Sequence, residues 1–149
     1  MALTPLTALS PLDGRYHDKV AALRDYFSEL GLIRLRVLVE IEWLKALASE
    51  PTIAEIPPFS PLTLDQLDAL AATFSESDGA AVKAIEDETN HDVKAIEYFL
   101  KQRLAGNKEI AKVAEFIHFA CTSEDINNLC HALMLQRARG PYSRPRQSR

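Results

Sequence analysis

Two cysteines, Cys121 and Cys130, are all that the 149 residues contain. They stand nine apart with no second pair, which leaves neither a C-x-x-C redox site nor a zinc ribbon. Both are expected to be structural thiols, Cys130 acting as a small hydrophobe on an apolar helix face. No apolar run approaches the roughly 18 residues of a membrane-spanning helix. The N-terminus MALTPLTALSPLDGRY has no basic segment followed by an unbroken apolar one, so no signal peptide or membrane partner is read, and a cytoplasmic location is expected. Strict apolar/polar alternation is missing, as are hairpin turn pairs, repeats and low-complexity tracts, which speaks against a β-rich or solenoid fold. None of the four histidines has an H-E-x-x-H or comparable ligand spacing around it, so no metal site is expected. Positive charge is also short: 17 basic residues face 21 acidic ones, for a net charge of −4. That argues against nonspecific nucleic-acid binding, which depends on a basic surface. From Arg137 onward there are five arginines and no acidic residue, so the preceding 136 residues carry −9.

What is there is helical. Hydrophobic residues make up 47% and charged residues 26%, a globular composition in a chain about one domain long. Asp18 to Gly31 reads as a short helix with a glycine stop. Leu30, Ile33, Val37, Ile41, Leu44 and Ala48 then recur at three- and four-residue steps, widened by Leu38 and Trp43, and a helix so broadly apolar should be buried on more than one side. The proline-punctuated loop Glu50 to Pro61 leads to a helix from Leu62, for which Thr63 is the expected cap. DGAAVKAIEDET runs to the triplet Asn90, His91 and Asp92, read as a helix junction. Beyond it Val93, Ile96, Leu100 and Leu104 form a new stripe, with Glu97 and Lys101 in favourable i,i+4 order. AGNKEIAKVAEFIHFA gives a short connection and a further helix. In a last helix, Ile126, Leu129, Cys130, Leu133 and Met134 share a face. It should stop near Arg139, because RARGPYSRPRQSR has no stripe and two prolines, and the tail is expected to be disordered. The fold class is all-α.

Three polar clusters stand at turns or helix junctions: SPLDGRY (Ser10 to Tyr16), TNHDVK (Thr89 to Lys94) and TSEDINN (Thr122 to Asn128). In the first, Gly14 permits a turn and Arg15 offers a planar fork for phosphate or carboxylate beside the Tyr16 phenol; a surface salt bridge and a packing ring explain the pair equally. In the second, Asn90 and Asp92 flank His91 and could orient its imidazole, or one of them could simply cap the following helix. In the third, Thr122 and Asp125 have the spacing of a capping box, while hydroxyls and free N–H groups at a helix start also make a seat for an anion. His118 and His131 lie among apolar residues and read as core or boundary histidines.

In this order and at these separations, SPLDGRY, TNHDVKAIEYFL and EFIHFACTSEDINNLCHALML closely resemble the N-terminal part of the adenylosuccinate lyase family, in the fumarase/aspartase superfamily. The resemblance covers about residues 5 to 138. It implies an N-terminal helical domain over residues 1–111, the start of a central helical bundle over 112–138, and a divergent basic tail over 139–149. It implies that Arg15 and Tyr16 contact a nucleotide, that Asn90, His91 and Asp92 line the same pocket, and that Thr122 and Ser123 bind the succinyl part of the substrate. The implied activity is a C–N lyase reaction on succinyl purine nucleotides that releases fumarate, in a homotetramer without a cofactor. The family's catalytic acid is a histidine in a TH-GQ type segment and its base a serine on an SS-MP-K-N type loop, and this sequence contains neither. The chain alone is therefore expected to be inactive. The Arg/Pro/Ser tail departs from the family pattern and reads as translation in another frame or an artefact of the clone. A stand-alone helical binding module that lost catalysis is the competing reading; argininosuccinate lyase and fumarase match the first two clusters less well.

Overall fold

A computed structural model describes residues 4–142, with seven α-helices and two 3-10 turns among them and no strand. The helices are α1 (Arg24–Phe27), α2 (Glu29–Ser49), α3 (Pro61–Ala72), α4 (Glu76–Thr89), α5 (Asp92–Leu104), α6 (Lys108–Lys112) and α7 (Ser123–Tyr142). The all-α expectation holds.

The second helix organises the rest. Ser28 caps it, its Oγ accepting from Gly31 N–H at 3.1 Å. Gly31 is thus inside a first turn, where a stop was expected. A Cβ there would stand 2.9 Å from the Tyr26 carbonyl oxygen and 3.0 Å from that of Asp25, so glycine serves the close approach of α1 and α2. The expected Asp18–Gly31 helix is replaced by turns, a 3-10 segment at Ala21–Leu23 and the four-residue α1.

Apolar residues surround α2, and it is buried on several sides. One stripe, Ile33, Val37, Ile41 and Leu44, packs with Leu67 of α3, Val82 of α4, and Ile96, Phe99 and Leu100 of α5. A second, Leu35 and Val39, packs with Val93 of α5 and with Ile126, Cys130 and Met134 of α7. A third cluster joins Leu47 and Ala48 to Ile56 and Val113. Each fully enclosed Leu, Ile or Phe contributes about 1.5–3 kcal/mol, so α2 is the hub on which the others dock. Between the first two stripes, at 3.6 residues per turn, fall Arg36 and Glu40, both buried.

Several helix ends differ from the sequence reading. Ser60, rather than Thr63, caps α3, with Pro61 at its first position. Thr63 is buried, and its hydroxyl accepts from Asn107 Nδ2 at 3.0 Å. Ser75 and Asp78 form a capping box on α4. The single helix expected in AGNKEIAKVAEFIHFA is broken into α6, a 3-10 turn at Ala114–Phe116 and an irregular stretch in which His118 (φ 65°) and Ala120 (φ 58°) are left-handed. Along α7, Ile126, Cys130 and Met134 are buried but Leu129 is exposed, so the expected face divides between core and surface. The helix continues past Arg139 to Tyr142, further than the glycine and proline there suggested. The rest of the stretch expected to be a divergent, disordered tail, 143–149, lies outside the described residues.

Candidate binding site

The Asn90–Asp92 triplet is a helix junction, but its residues divide the work differently from the capping expectation. Asn90 ends α4 in the left-handed region (φ 51°), its N–H donating to the Glu86 carbonyl. His91 caps α5 through its ring, Nδ1 accepting from Lys94 N–H at 3.1 Å. That bond fixes the ring as an acceptor at Nδ1 and leaves Nε2 as the free polar edge. Asp92 opens α5, with Oδ1 accepting from Val93 N–H at 2.8 Å and Oδ2 from Arg36 at 2.5 Å. Burial works against the ionised form of Asp92, but the Val93 N–H and the Arg36 guanidinium outweigh it and hold the carboxyl below its ordinary value.

At the start of α7, Thr122 donates twice to one oxygen of Asp125: N–H to Oδ2 at 2.7 Å and Oγ1–H to Oδ2 at 2.9 Å. This is the carboxylate half of a capping box, and the Thr122 backbone N–H is the chief reason that the Asp125 carboxyl lies below its ordinary value. Thr122 is exposed and Ser123 half-buried beside it. A 20-residue helix thus opens with the Ser123 hydroxyl and its first N–H groups as donors suited to an anion, while the Thr122 hydroxyl must leave Asp125 to serve one.

Arg15 and Tyr16 lie on the surface, the guanidinium carbon 4.6 Å from the Tyr16 ring centre and Lys19 Nζ 5.7 Å from it. Gly14 has no positive φ; it is needed because a Cβ would stand 2.9 Å from the Pro5 carbonyl oxygen.

Two of the three clusters are joined through a residue outside all of them. Arg36 of α2 donates from Nε to Asn127 Oδ1 of α7 at 2.9 Å while its NH2 group holds Asp92 of α5. One turn along, Glu40 is fully buried, with Oε1 2.6 Å from His118 Nδ1 and no hydrogen-bond partner at Oε2 among the described residues. Burial pushes the Glu40 carboxyl up; His118 pulls it down less strongly. Burial likewise raises the Cys130 thiol to about 11, in keeping with a structural role. The sequence reading missed Arg36 and Glu40. Their signal was a pair of opposite charges at i,i+4 within the most apolar helix, where a charge persists only if paired.

A groove of about 700 Å³ runs between α2 and α7 along Leu38, Trp43, Ala46, Leu129 and Leu133. None of the seven residues expected to bind substrate lines it, and its apolar walls suit a packing partner better than a charged ligand.

With this arrangement of helices in view, comparison with known proteins is decisive: the family described as Lyase matches residues 14–141. The chain belongs to the Lyase family. Within it, the chain is similar to proteins named adenylosuccinate lyase. It is 61% identical over 139 residues to that of Haemophilus influenzae and 60% identical over 139 residues to that of Escherichia coli K12. It is 49% identical over 138 residues to that of Legionella pneumophila strain Corby. Each match takes in 93% of this chain and 30% of the relative, so the chain spans about a third of the length of these Lyase-family proteins. No helix among the described residues is long and apolar enough to cross a membrane.

Proposed function

We propose that this chain is the N-terminal portion of an adenylosuccinate lyase, which eliminates fumarate from adenylosuccinate to give AMP and from SAICAR to give AICAR. The observation that carries the reading is 60–61% identity over 139 residues in a chain that presents SPLDGRY, TNHDVK and TSEDINN in one order. Residues 1–111 form the N-terminal helical domain, 112–138 begin the central bundle, and 139–149 are a divergent tail. The complete protein is a cytoplasmic homotetramer that needs no cofactor and binds no nucleic acid.

In this reading Arg15 and Tyr16 hold the nucleotide, with Arg15 complementary to a phosphate. Asn90, His91 and Asp92 line the same pocket. Thr122 and Ser123 receive the succinyl carboxylate at the start of α7. Elimination removes a proton from the carbon beside that carboxylate, moves the electron pair into the new C=C bond and expels the nitrogen, which takes up a proton. Negative charge builds on the carboxylate on the way. The Ser123 hydroxyl and the N–H groups fixed in advance at the helix start stabilise that charge without reorganising, at about 2.7–4 kcal/mol each, whereas Thr122 must first release Asp125. The chain's own residues bind and polarise; the proton-transferring histidine and serine belong to segments that this sequence does not contain.

The test is a chimaera in which residues 1–138 of this chain replace the matching part of the E. coli relative. It is expected to convert adenylosuccinate to AMP and fumarate, while the 149-residue chain alone releases no fumarate above a heat-killed control. A folded chimaera without turnover, beside an active E. coli parent, would overturn the reading and leave a non-catalytic helical module.

A further inference from the structure

Arg36 carries a full charge inside the most enclosed helix, 5% exposed, and spends it on two partners from different helices. An unpaired guanidinium would be strongly unfavourable there, so its contacts form as α5 and α7 dock on α2. The residues next to those partners, Val93 and Ile126, are buried in the same apolar cluster, so neither Asp92 nor Asn127 can shift alone. We propose that Arg36 is a positioning residue, whose fork fixes the start of α5 and the first turns of α7 relative to each other so that their polar groups act as one site. For its catalytic consequence this rests on the reading under Proposed function.

The geometry is specific to arginine. Nε reaches Asn127 at 2.9 Å while NH2 reaches Asp92 at 2.5 Å, two bonds set by one rigid plane. A lysine ammonium is a single point that satisfies the charge of Asp92 without also holding the amide. Asn127 lies four residues after Ser123, on the same face of α7, so gripping it sets the rotation of the helix and the direction of the Ser123 hydroxyl. Asp92 follows His91, so gripping it sets where the imidazole stands. Glu40, one turn further along α2, meets His118 at 2.6 Å, and Trp43 Nε1–H donates to the Phe119 carbonyl at 2.8 Å. The approach to α7 is thereby pinned before its first turn and, through Arg36, after it.

The test uses the chimaera with Arg36→Lys, Asn127→Ala and both together. Arg36→Lys keeps the charge and should melt within a few degrees of the parent, yet lose at least tenfold in kcat with a smaller change in KM. Misplacing reacting groups by about 1 Å can cost on the order of 10² in rate. Asn127→Ala should lose a similar factor, and the double variant should be no worse than the poorer single one, because both remove the same bond. Hydrogen exchange on the same proteins should quicken at least tenfold at amides 92–96 and 123–129 and stay unchanged in α3. Single variants that are folded and within twofold of the parent kcat, or losses that multiply, would overturn the proposal. If Arg36→Lys does not fold, Asn127→Ala decides by the same criteria. If the parent chimaera folds but is inactive, the proposed function fails. Exchange then still decides this inference, and unchanged rates at both helix starts would overturn it.

Discussion

Replacing His118 with alanine tests how the turn before α7 is held. Glu40 is fully buried, its Oε1 faces His118 Nδ1 at 2.6 Å, and its Oε2 has no partner among the described residues. Removing the imidazole leaves a carboxyl enclosed by helices with nothing to offset its desolvation. Breaking one side of a buried pair costs about 3–5 kcal/mol. In a chain of this length that is about 6–20 °C in Tm. The cost should depend on pH in a direction that follows from the pair. Burial is the main influence raising the Glu40 carboxyl, the repulsion of Glu97 adds to it, and His118 opposes both as hydrogen-bond partner and positive neighbour. Without His118 the carboxyl rises further. A carboxyl raised in the folded state contributes its full stability below the unfolded value and loses it as pH climbs through the folded value. The penalty of His118→Ala should therefore be small near the ordinary glutamate value of 4.5 and grow as the pH is raised, for instance to about pH 8. His118 also sits at φ 65°. His118→Gly removes the imidazole but relaxes the left-handed backbone, and should be less damaging than alanine by about 0.5–1 kcal/mol. Melts followed by circular dichroism at the two pH values decide it. A penalty under about 1 kcal/mol at pH 8, or one that does not shrink on acidification, would refute the argument.

In the chimaera, Ser123→Ala should lower kcat by about 10²–10³ with little change in Tm. Thr122→Ala should lower activity and also cost about 0.5–2 kcal/mol of stability; near-normal turnover for Ser123→Ala would return this stretch to capping alone. Gly31→Ala should cost about 1–3 kcal/mol, since its Cβ meets backbone oxygens at 2.9 and 3.0 Å, while Gly106→Ala, with nothing within 4 Å, should change stability by no more than about 0.5 kcal/mol in a urea titration. The groove between α2 and α7 and the exposed Leu129 should make the isolated chain self-associate and bind a hydrophobic dye, and Leu129→Lys should weaken both. A sharply monomeric chain that ignores the dye would count against it.

Much of the fold was legible because it is local. The stripe from Ile33 through Leu44 is periodic in the sequence, and so is the one from Val93 to Leu104; the Asn90–Asp92 junction and the Thr122–Asp125 pairing also depend on residues within a turn of each other. Hydrophobic period and capping spacing are set by helix geometry alone, so the sequence itself determined an all-α chain whose broadest apolar helix lies at the centre. Which hydroxyl capped α3 and where the helix before α7 broke were less legible, since those choices turn on Thr63 bonding to Asn107 and on Trp43 and Glu40 holding the 118–120 turn. Arg36 and Glu40 mark the limit most clearly. In the sequence they are two charges in an apolar run; only the docking of α5 and α7 on α2 brings Asp92, Asn127 and His118, which are 56, 91 and 78 residues away from them, within hydrogen-bond reach. A charge is tolerated in a core through partners that the chain supplies from afar, and tertiary packing alone selects them.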